Sequence, residues 1–499
     1  MRVGFVLAID QGTTGSTALV LDARGAVRGR GYAELPQHFP RPGWVEHDGD
    51  EIWRSVVMAI RRALAKARVP AHRLAAIGIT NQRETTLIWE RASGRPLARA
   101  IVWQDRRTTD ACAALAKRGL EREVRRRTGL RLDPYFSATK LTWLLRHHPE
   151  IALLARRGRA AFGTMDSWLL WRLTGGAVHA TDPTNASRTL LYHIGRRTWD
   201  EWLLDLFGVP AALLPSVLPS SGRFGVTHAV PGLPDGIPIA GVAGDQQAAL
   251  FGQGCVRRGQ SKNTYGTGCF LLLNTGDRPR ASRAGLLTTL ACGPRGEPAY
   301  ALEGSIFIAG AALQWLRDGL GLLETAAESE TLARQVPDAG GVVLVPAFVG
   351  LGAPYWRPGV RGALLGLTRG TRRAHVARAA LESLAFQTRD VIEAMARDAG
   401  QRIRTLRVDG GAAANDFLMQ YQADLLGMPV ERPRVLETTA LGAGLLAGLG
   451  VGFWASHQDL AGARRVGRVF RPRHGRSWRE GEYRRWNDAV AVLLATGKA

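Results

Sequence analysis

Apolar residues run unbroken over residues 3–9, give way to the polar turn Asp10-Gln11-Gly12-Thr13-Thr14-Gly15, and resume over 16–21. That pattern predicts a buried strand, a glycine turn and a second strand. From about Glu51, Ile52, Val56, Ile60 and Leu64 recur every fourth residue with arginines opposite, which predicts an amphipathic helix. Residues 75–80 read as another strand ending in Asn81-Gln82-Arg83-Glu84, and Trp103-Gln104-Asp105-Arg106-Arg107 is expected to open a further helix. Residues 237–243 form an apolar strand ending at Gly244-Asp245-Gln246-Gln247. The opening pattern then returns: residues 263–268 read as a glycine-threonine turn and 269–273 as the strand after it. A strand, a Gly-Thr turn and a strand near residue 10 and again near 265 suggest two related halves. Near Leu406 a strand leads through Asp409-Gly410-Gly411 into a helix expected to carry Asn415 one turn in. The last helix is placed at Ser477, whose spacing to Glu480 matches a capping box, with Trp478, Trp486, Val490 and Leu493 as its buried stripe.

Residues 438–458 contain no Asp, Glu, Lys or Arg and are long enough to cross a bilayer. Five glycines interrupt them, including Gly444 and Gly448, so a buried helix over 439–449 is expected and stable membrane insertion is not. At 499 residues the chain exceeds one hydrophobic core, which predicts two domains. The hydrophobic share of 45% and charged share of 22% suit a globular protein. The net charge of +23 raises the question of a polyanion partner. Arg is scattered along the whole chain, and its densest groups, 125–127 and 464–479, lack the interleaved aromatics of a single-strand platform; no nucleic acid is expected. Four cysteines without paired or metal-ligand spacing fit a reduced compartment, and with an apolar start too short for a signal peptide a cytoplasmic protein is expected.

The P-loop pattern G-x-x-x-x-G-K-[ST] and the dinucleotide pattern G-x-G-x-x-G are both missing from the sequence. Three glycine turns instead follow apolar strands directly, where backbone N–H groups and threonine hydroxyls can approach anionic oxygens. In α/β folds ligands gather at the carboxyl ends of strands, which is where Asp10, Arg83-Glu84, Asp245-Gln246, Thr267 and Gly410-Gly411 fall. Five such clusters predict one composite cleft. Asp10 and Asp245 are two carboxylates beside that phosphate cradle, suited to Mg²⁺, which takes one or two carboxylates plus phosphate and water. Phosphoryl transfer needs positioning, charge neutralisation and a base for the attacking hydroxyl.

With Asp10-Gln11-Gly12-Thr13-Thr14, residues 79–85, Trp103-Gln104, residues 182–189, 244–252 and 263–270 in view, the chain resembles the carbohydrate kinase family named for its FGGY motif. Residues 135–147 and 362–382 resemble that family's two signatures, and the likeness is collinear from about residue 5 to 455. The resemblance implies an α/β protein of two ribonuclease-H-like domains, of the actin and chaperone-ATPase type, around a central cleft. The halves would be residues 1–252, for acceptor and phosphates, and 253–499, for the nucleotide. It implies ATP and Mg²⁺ as cofactors, glycerol as acceptor, and a homo-oligomer, dimer or tetramer. Arg83, Glu84, Tyr135, Asp245 and Gln246 would hold the acceptor's hydroxyls, with Asp245 as catalytic base, while Trp103 and Phe270 pack its carbons. Thr13, Thr14, Gly15, Thr17 and Thr267 would line the phosphates; Gly310, Gln314, Gly411 and Asn415 would hold the nucleoside; Asp10 and Asp245 would serve the metal.

Two positions depart from many relatives: Gly15 and Thr17 stand where Ser and Arg are common, which removes a strong phosphate partner. The glycine-rich loop that binds fructose 1,6-bisphosphate in some relatives is not recognisable in residues 228–236, and His228 does not match the phosphorylatable histidine of others. Rival readings make different predictions. A kinase for another polyol or sugar separates on a substrate panel; an actin- or chaperone-like ATPase hydrolyses ATP regardless of glycerol; a polyanion binder shows steep salt dependence.

Overall fold

The computed structural model describes residues 4–357, 359–462 and 464–496. The expected first strand is β1 (Phe5–Gln11), its proposed start at Val3 lying outside the described residues, and it pairs antiparallel with β2 (Gly15–Leu21), which pairs with β3 (Val27–Glu34). On the other side of β1 lie β4 (Leu74–Asn81) and then β6 (Pro238–Gly244), both parallel to it, with β5 (Ser221–Val226) antiparallel at the edge. The order is β5-β6-β4-β1-β2-β3. The second sheet repeats this plan. Strands β7 (Ser261–Tyr265) and β8 (Cys269–Gly276) form its opening antiparallel pair, and β9 (Leu287–Cys292) and β10 (Pro298–Ile306) continue it on one side. On the other side β11 (Leu406–Asp409) and β12 (Val430–Pro433) run parallel, and β13 (Val466–Phe470) closes the edge antiparallel. β7 thus occupies the place of β1, β8 that of β2, and β11, β12 and β13 those of β4, β6 and β5. The repeat read from two Gly-Thr turns is the core of both sheets.

Helix α1 (Gly49–Ala67) starts where the Asp48 side chain accepts from the backbone N–H groups of Asp50 and Glu51, and it lays Ile52, Val56 and Ile60 on the first sheet. Its approach explains a glycine pair in β3. A Cβ at Gly31 would sit 2.1 Å from the Ala59 carbonyl oxygen, and one at Gly29 2.3 Å from that of Ala63. Helix α2 (Ser137–His147) and helix α3 (Asp245–Gly252) belong to the first half, and α4 (Arg373–Ala399) and α5 (Asp416–Leu426) cover the second sheet. The uncharged stretch becomes α6 (Thr438–Gly450), buried against α3 and the first sheet rather than in lipid. Among the described residues no helix is long and apolar enough to cross a membrane. A Cβ at Gly442 would fall 1.9 Å from the Ala248 carbonyl oxygen, so backbone meets backbone there and only glycine fits.

Local expectations needed four corrections. Residues 103–108 are a turn, and the helix there is Thr109–Lys117, because Asp105 accepts from the N–H groups of Val45 and Arg107 and fixes the preceding chain in a non-helical shape. Asn263 and Tyr265 are strand residues of β7, and the turn is confined to 266–268. Asn415 is not inside a helix: Gly410, at φ +85°, leads into a 3₁₀ turn, and Asn415 then caps α5, accepting from the Leu418 N–H at 2.9 Å. The last helix is α7 (Arg476–Thr496), which begins before Ser477. Glu480 does not reach back to a cap; its carboxylate accepts from Arg389 at 2.9 Å, an ion-pair partner that outcompetes a backbone N–H.

Candidate active site

Because β6, β4 and β1 are parallel neighbours, their carboxyl ends arrive together: Gly244 pairs with Asn81, and Asn81 with Gln11. Asp10, the Arg83-Glu84 pair and Asp245 therefore converge from segments more than two hundred residues apart. Arg83 is buried, 2% exposed, and each nitrogen of its guanidinium faces an acceptor. Nε meets Asp245 Oδ1 at 3.0 Å; Nη1 donates to Glu303 Oε2 at 2.6 Å and Gln247 Oε1 at 3.2 Å; Nη2 reaches Glu303 Oε1 at 3.3 Å and the Tyr135 hydroxyl at 3.4 Å. Glu84 sits in the left-handed region, φ +64°, which costs of order 1–3 kcal/mol for a non-glycine residue and persists because its carboxylate accepts from Arg188 Nε at 2.6 Å and its carbonyl from Ser137 and Thr86.

Asp245 is more open than Arg83 and Glu84, 28% exposed, and among the described residues its second oxygen accepts from the Gln246 amide at 3.2 Å. Asp10 is half-buried at the end of β1, opposite Thr17 of β2. Burial and the Asp245 charge push its carboxyl up to about 7. Trp103 places its ring against Tyr135, centroids 5.5 Å apart, and donates from Nε1 to Thr13 Oγ1 at 2.9 Å. Phe270, half-buried on β8 opposite Thr264 and Ser305, stands outside that aromatic contact. Buried Gln246 gives its Oε1 to the Lys262 ammonium, which also donates to Thr264 at 2.7 Å. Burial pulls this lysine down to about 8 against the opposing charges of Asp409 and Asp245.

The remaining candidates form two backbone-rich surfaces. Around the first turn, Thr14 is exposed and its carbonyl accepts from the Tyr32 hydroxyl at 3.3 Å; a Cβ at Gly15 would lie 2.6 Å from that same hydroxyl. Tyr32 therefore fills the space that a side chain at position 15 would need. Around the second turn, Thr267 is exposed and its carbonyl accepts from the N–H groups of Ala309 and Ala311, while the Gly310 N–H donates to Gly266 at 3.0 Å. Gly410 lies against Tyr265, where a Cβ would meet the carbonyl oxygen at 2.3 Å. Gly310 and Gly410 therefore pack against the segment 265–268; the exposed Gln314 ends the short helix Gly310–Gln314, and Gly411 and the cap Asn415 follow Gly410 through the 3₁₀ turn.

Sequence reading missed four members: Glu303, Arg188, Gln247 and Lys262. Glu303 and Arg188 are fully buried. Although burial pushes Glu303 upward, the Arg188 and Arg83 guanidiniums hold it at about 2. The available signal was a lone charge in an apolar strand: Glu303 follows Ala299-Tyr300-Ala301-Leu302, and a charge at such a position is buried only when paired.

Residues 5–252 match the N-terminal domain, and 261–451 the C-terminal domain, of the FGGY family of carbohydrate kinases, and the chain belongs to that family. More narrowly, it is 59% identical over 488 residues to a glycerol kinase of Aromatoleum aromaticum, covering 98% of both chains, and 56% identical over 492 residues to one of Halorhodospira halophila, covering 98% of this chain and 96% of the relative. The crystal structure of Plasmodium falciparum glycerol kinase with ADP superposes with a TM-score of 0.92 at 36% identity, covering 99% of this chain and 98% of that one. The two ribonuclease-H-like domains expected from the sequence are the fold of this family.

Proposed function

We propose that the chain transfers the γ-phosphoryl group of ATP to a terminal hydroxyl of glycerol, giving sn-glycerol 3-phosphate and ADP. The observation that carries this is the convergence of Arg83, Glu84, Tyr135 and Asp245 at neighbouring strand ends, in a chain 59% identical to a glycerol kinase along its whole length. Glycerol has three hydroxyls and little apolar surface, so selection rests on hydrogen bonds. Glu84 accepts, the long and weak contacts of Arg83 Nη2 leave that end able to donate, and the Trp103–Tyr135 corner meets the carbons.

Asp245 removes the proton of the attacking hydroxyl. Arg83 and the Gln246 N–H hold its Oδ1, which turns the less encumbered Oδ2 outward. As the hydroxyl oxygen bonds to phosphorus, the bridging P–O bond breaks and its electron pair leaves with ADP. The phosphates pass between the turn carrying Thr13, Thr14 and Gly15 and the turn carrying Thr267, with Thr17 beside Asp10; Gly310, Gln314, Gly411 and Asn415 line the nucleoside. This assigns acceptor chemistry to residues 1–252 and the nucleotide to 253–499, with α6 returning to brace the first sheet.

Mg²⁺ fits the donor set. Asp10 and Asp245 are hard oxygen donors close enough to raise the Asp10 pKa, and among the described residues Asp10 has no cationic side chain against it. No three His, Cys, Asp or Glu side chains are arranged to hold a metal ion among the described residues, so phosphate and water would complete the shell. Such a cation supplies neutralisation of phosphate charge. The test is ADP release coupled to NADH oxidation, with and without glycerol, and across other polyols. Release independent of glycerol, or stronger with another polyol, refutes the proposal.

A further inference from the structure

Two guanidiniums and two carboxylates, Arg83, Arg188, Glu84 and Glu303, are each at most 2% exposed and share one dry cluster. Three of the four come from the first half of the chain. Glu303 alone comes from the second, on β10. It accepts from both Nη atoms of Arg83, and Arg188 Nη2 lies 3.0 Å from its other partner oxygen, Oε1. That last contact is an ion pair without hydrogen-bond alignment, since both Nη atoms of Arg188 lack a hydrogen bond. Arg188 in turn fixes Glu84, through Nε, and lies over the rings of Tyr135 and Phe136 at 5.4 and 5.2 Å.

The edge that carries Glu303 is tied firmly to the first half. Ser187 shares a hydroxyl contact with Thr289 at 3.1 Å, Gln247 donates to Thr289 and Leu290, the Thr288 N–H donates to Gly129, and Tyr300 donates to the Ile194 carbonyl at 2.9 Å. A carboxylate held at such a fixed seam is a stationary anchor. Without it, two buried cations would face the single buried carboxylate of Glu84, and Arg83 would turn toward Asp245 for compensation. The base would then be masked and the acceptor groups of Arg83 and Glu84 would lose their setting together.

We propose that Glu303 is a positioning residue for the acceptor site: one carboxylate from the second half of the chain orders the hydroxyl donor Arg83 directly and the hydroxyl acceptor Glu84 through Arg188. It touches neither substrate nor phosphate. This rests on the reading of the chain as a glycerol kinase. The acceptor site is incomplete without the second half, even though every group assigned to glycerol except Phe270 lies in the first.

The test compares wild type, Glu303→Gln and Glu303→Asp in full-length protein, measuring kcat, both KM values, ADP affinity by calorimetry and Tm. Glutamine keeps the shape and removes the charge; it should lower kcat/KM for glycerol by ~100-fold, the scale of a misplaced reacting group, and leave the KM for ATP and the affinity for ADP within twofold. Aspartate keeps the charge but falls one methylene short, and should raise the glycerol KM at least threefold. Should the glutamine variant fail to fold, the aspartate variant decides by itself. A purely structural role would lower Tm with the glycerol parameters unchanged, or shift both substrates equally, and either result overturns the proposal. A wild type inert toward glycerol overturns this inference and the function together; an active wild type matched by its variants overturns the positioning role alone.

Discussion

Replacing Arg83 with lysine keeps the charge and removes the fork. In the native site Nε and Nη1 serve different carboxylates, Asp245 at 3.0 Å and Glu303 at 2.6 Å, and Nη1 also serves Gln247 at 3.2 Å. One ammonium nitrogen can sit against Asp245 or against Glu303 but cannot span both in those directions. The variant therefore loses at least one charge-assisted hydrogen bond, worth ~1.5–3 kcal/mol net, and leaves a buried acceptor unpaired. At about 1.4 kcal/mol per decade, this corresponds to a loss of roughly 10–150-fold in kcat/KM for glycerol. The charge remains, so the KM for ATP should stay within about twofold, and since Glu303 holds the seam through Arg188 as well, the fold should survive. Initial rates from coupled ADP release, at saturating ATP and varied glycerol, measure the effect; circular dichroism and Tm verify that the variant is folded. A folded variant with kcat/KM within threefold of wild type would refute the argument that fork geometry, and not positive charge, builds this site.

Asp245→Asn keeps an acceptor for Arg83 but cannot take a proton, so kcat should fall by ~10²–10⁴-fold with little change in the KM for ATP; retention of more than a tenth of the rate rejects Asp245 as the base. Asp390 predicts a pH-dependent stability: burial pushes it up to about 7, although Tyr483 and Trp486 donate to it at 2.6 and 2.9 Å. Its contribution is fully present below the unfolded pKa near 4 and is lost as pH rises through 7, so Tm should fall between pH 5 and 8 by more in wild type than in Asp390→Asn, corresponding to a stability difference of about 3 kcal/mol at most over that window; parallel Tm curves would reject it. Fructose 1,6-bisphosphate should leave the rate unchanged, because in residues 228–236 Asp235 already engages the Ala229 N–H at 2.8 Å and His228 at 3.0 Å, and Pro231 and Pro234 lack donors; saturating inhibition at low salt would show otherwise.

The sequence was most legible where one local signal determined one element. Unbroken apolar runs gave β1 and β8, the four-residue repeat of Ile52, Val56 and Ile60 gave α1, and a charge-free, glycine-studded stretch gave the buried α6. It was least legible where a side chain chose a distant partner over a local one. Asp105 binds Val45 and so stops a helix at the residues that looked like its start, and Glu480 binds Arg389 in place of a cap. Neither partner is near in sequence, and local propensity carries no information about either.

The same distinction runs through the active site. Asp10, Arg83, Glu84 and Asp245 were readable because each follows a strand with a glycine or polar turn, and parallel neighbours in one sheet must end side by side. Glu303 follows no turn: it lies mid-strand in β10, whose closest partners in sequence are apolar. Its place becomes meaningful when the edge of the second sheet is set against the first half of the chain and the charges are counted: the buried cations Arg83 and Arg188 require a second buried anion beyond Glu84, and among the described residues Glu303 supplies it within contact of both. A turn motif marks where a backbone can meet phosphate. The charge balance that keeps those turns' carboxylates and guanidiniums in position belongs to the assembled pair of halves, so a substitution that spares every turn residue, such as Glu303→Gln, is expected to disturb the proposed glycerol site.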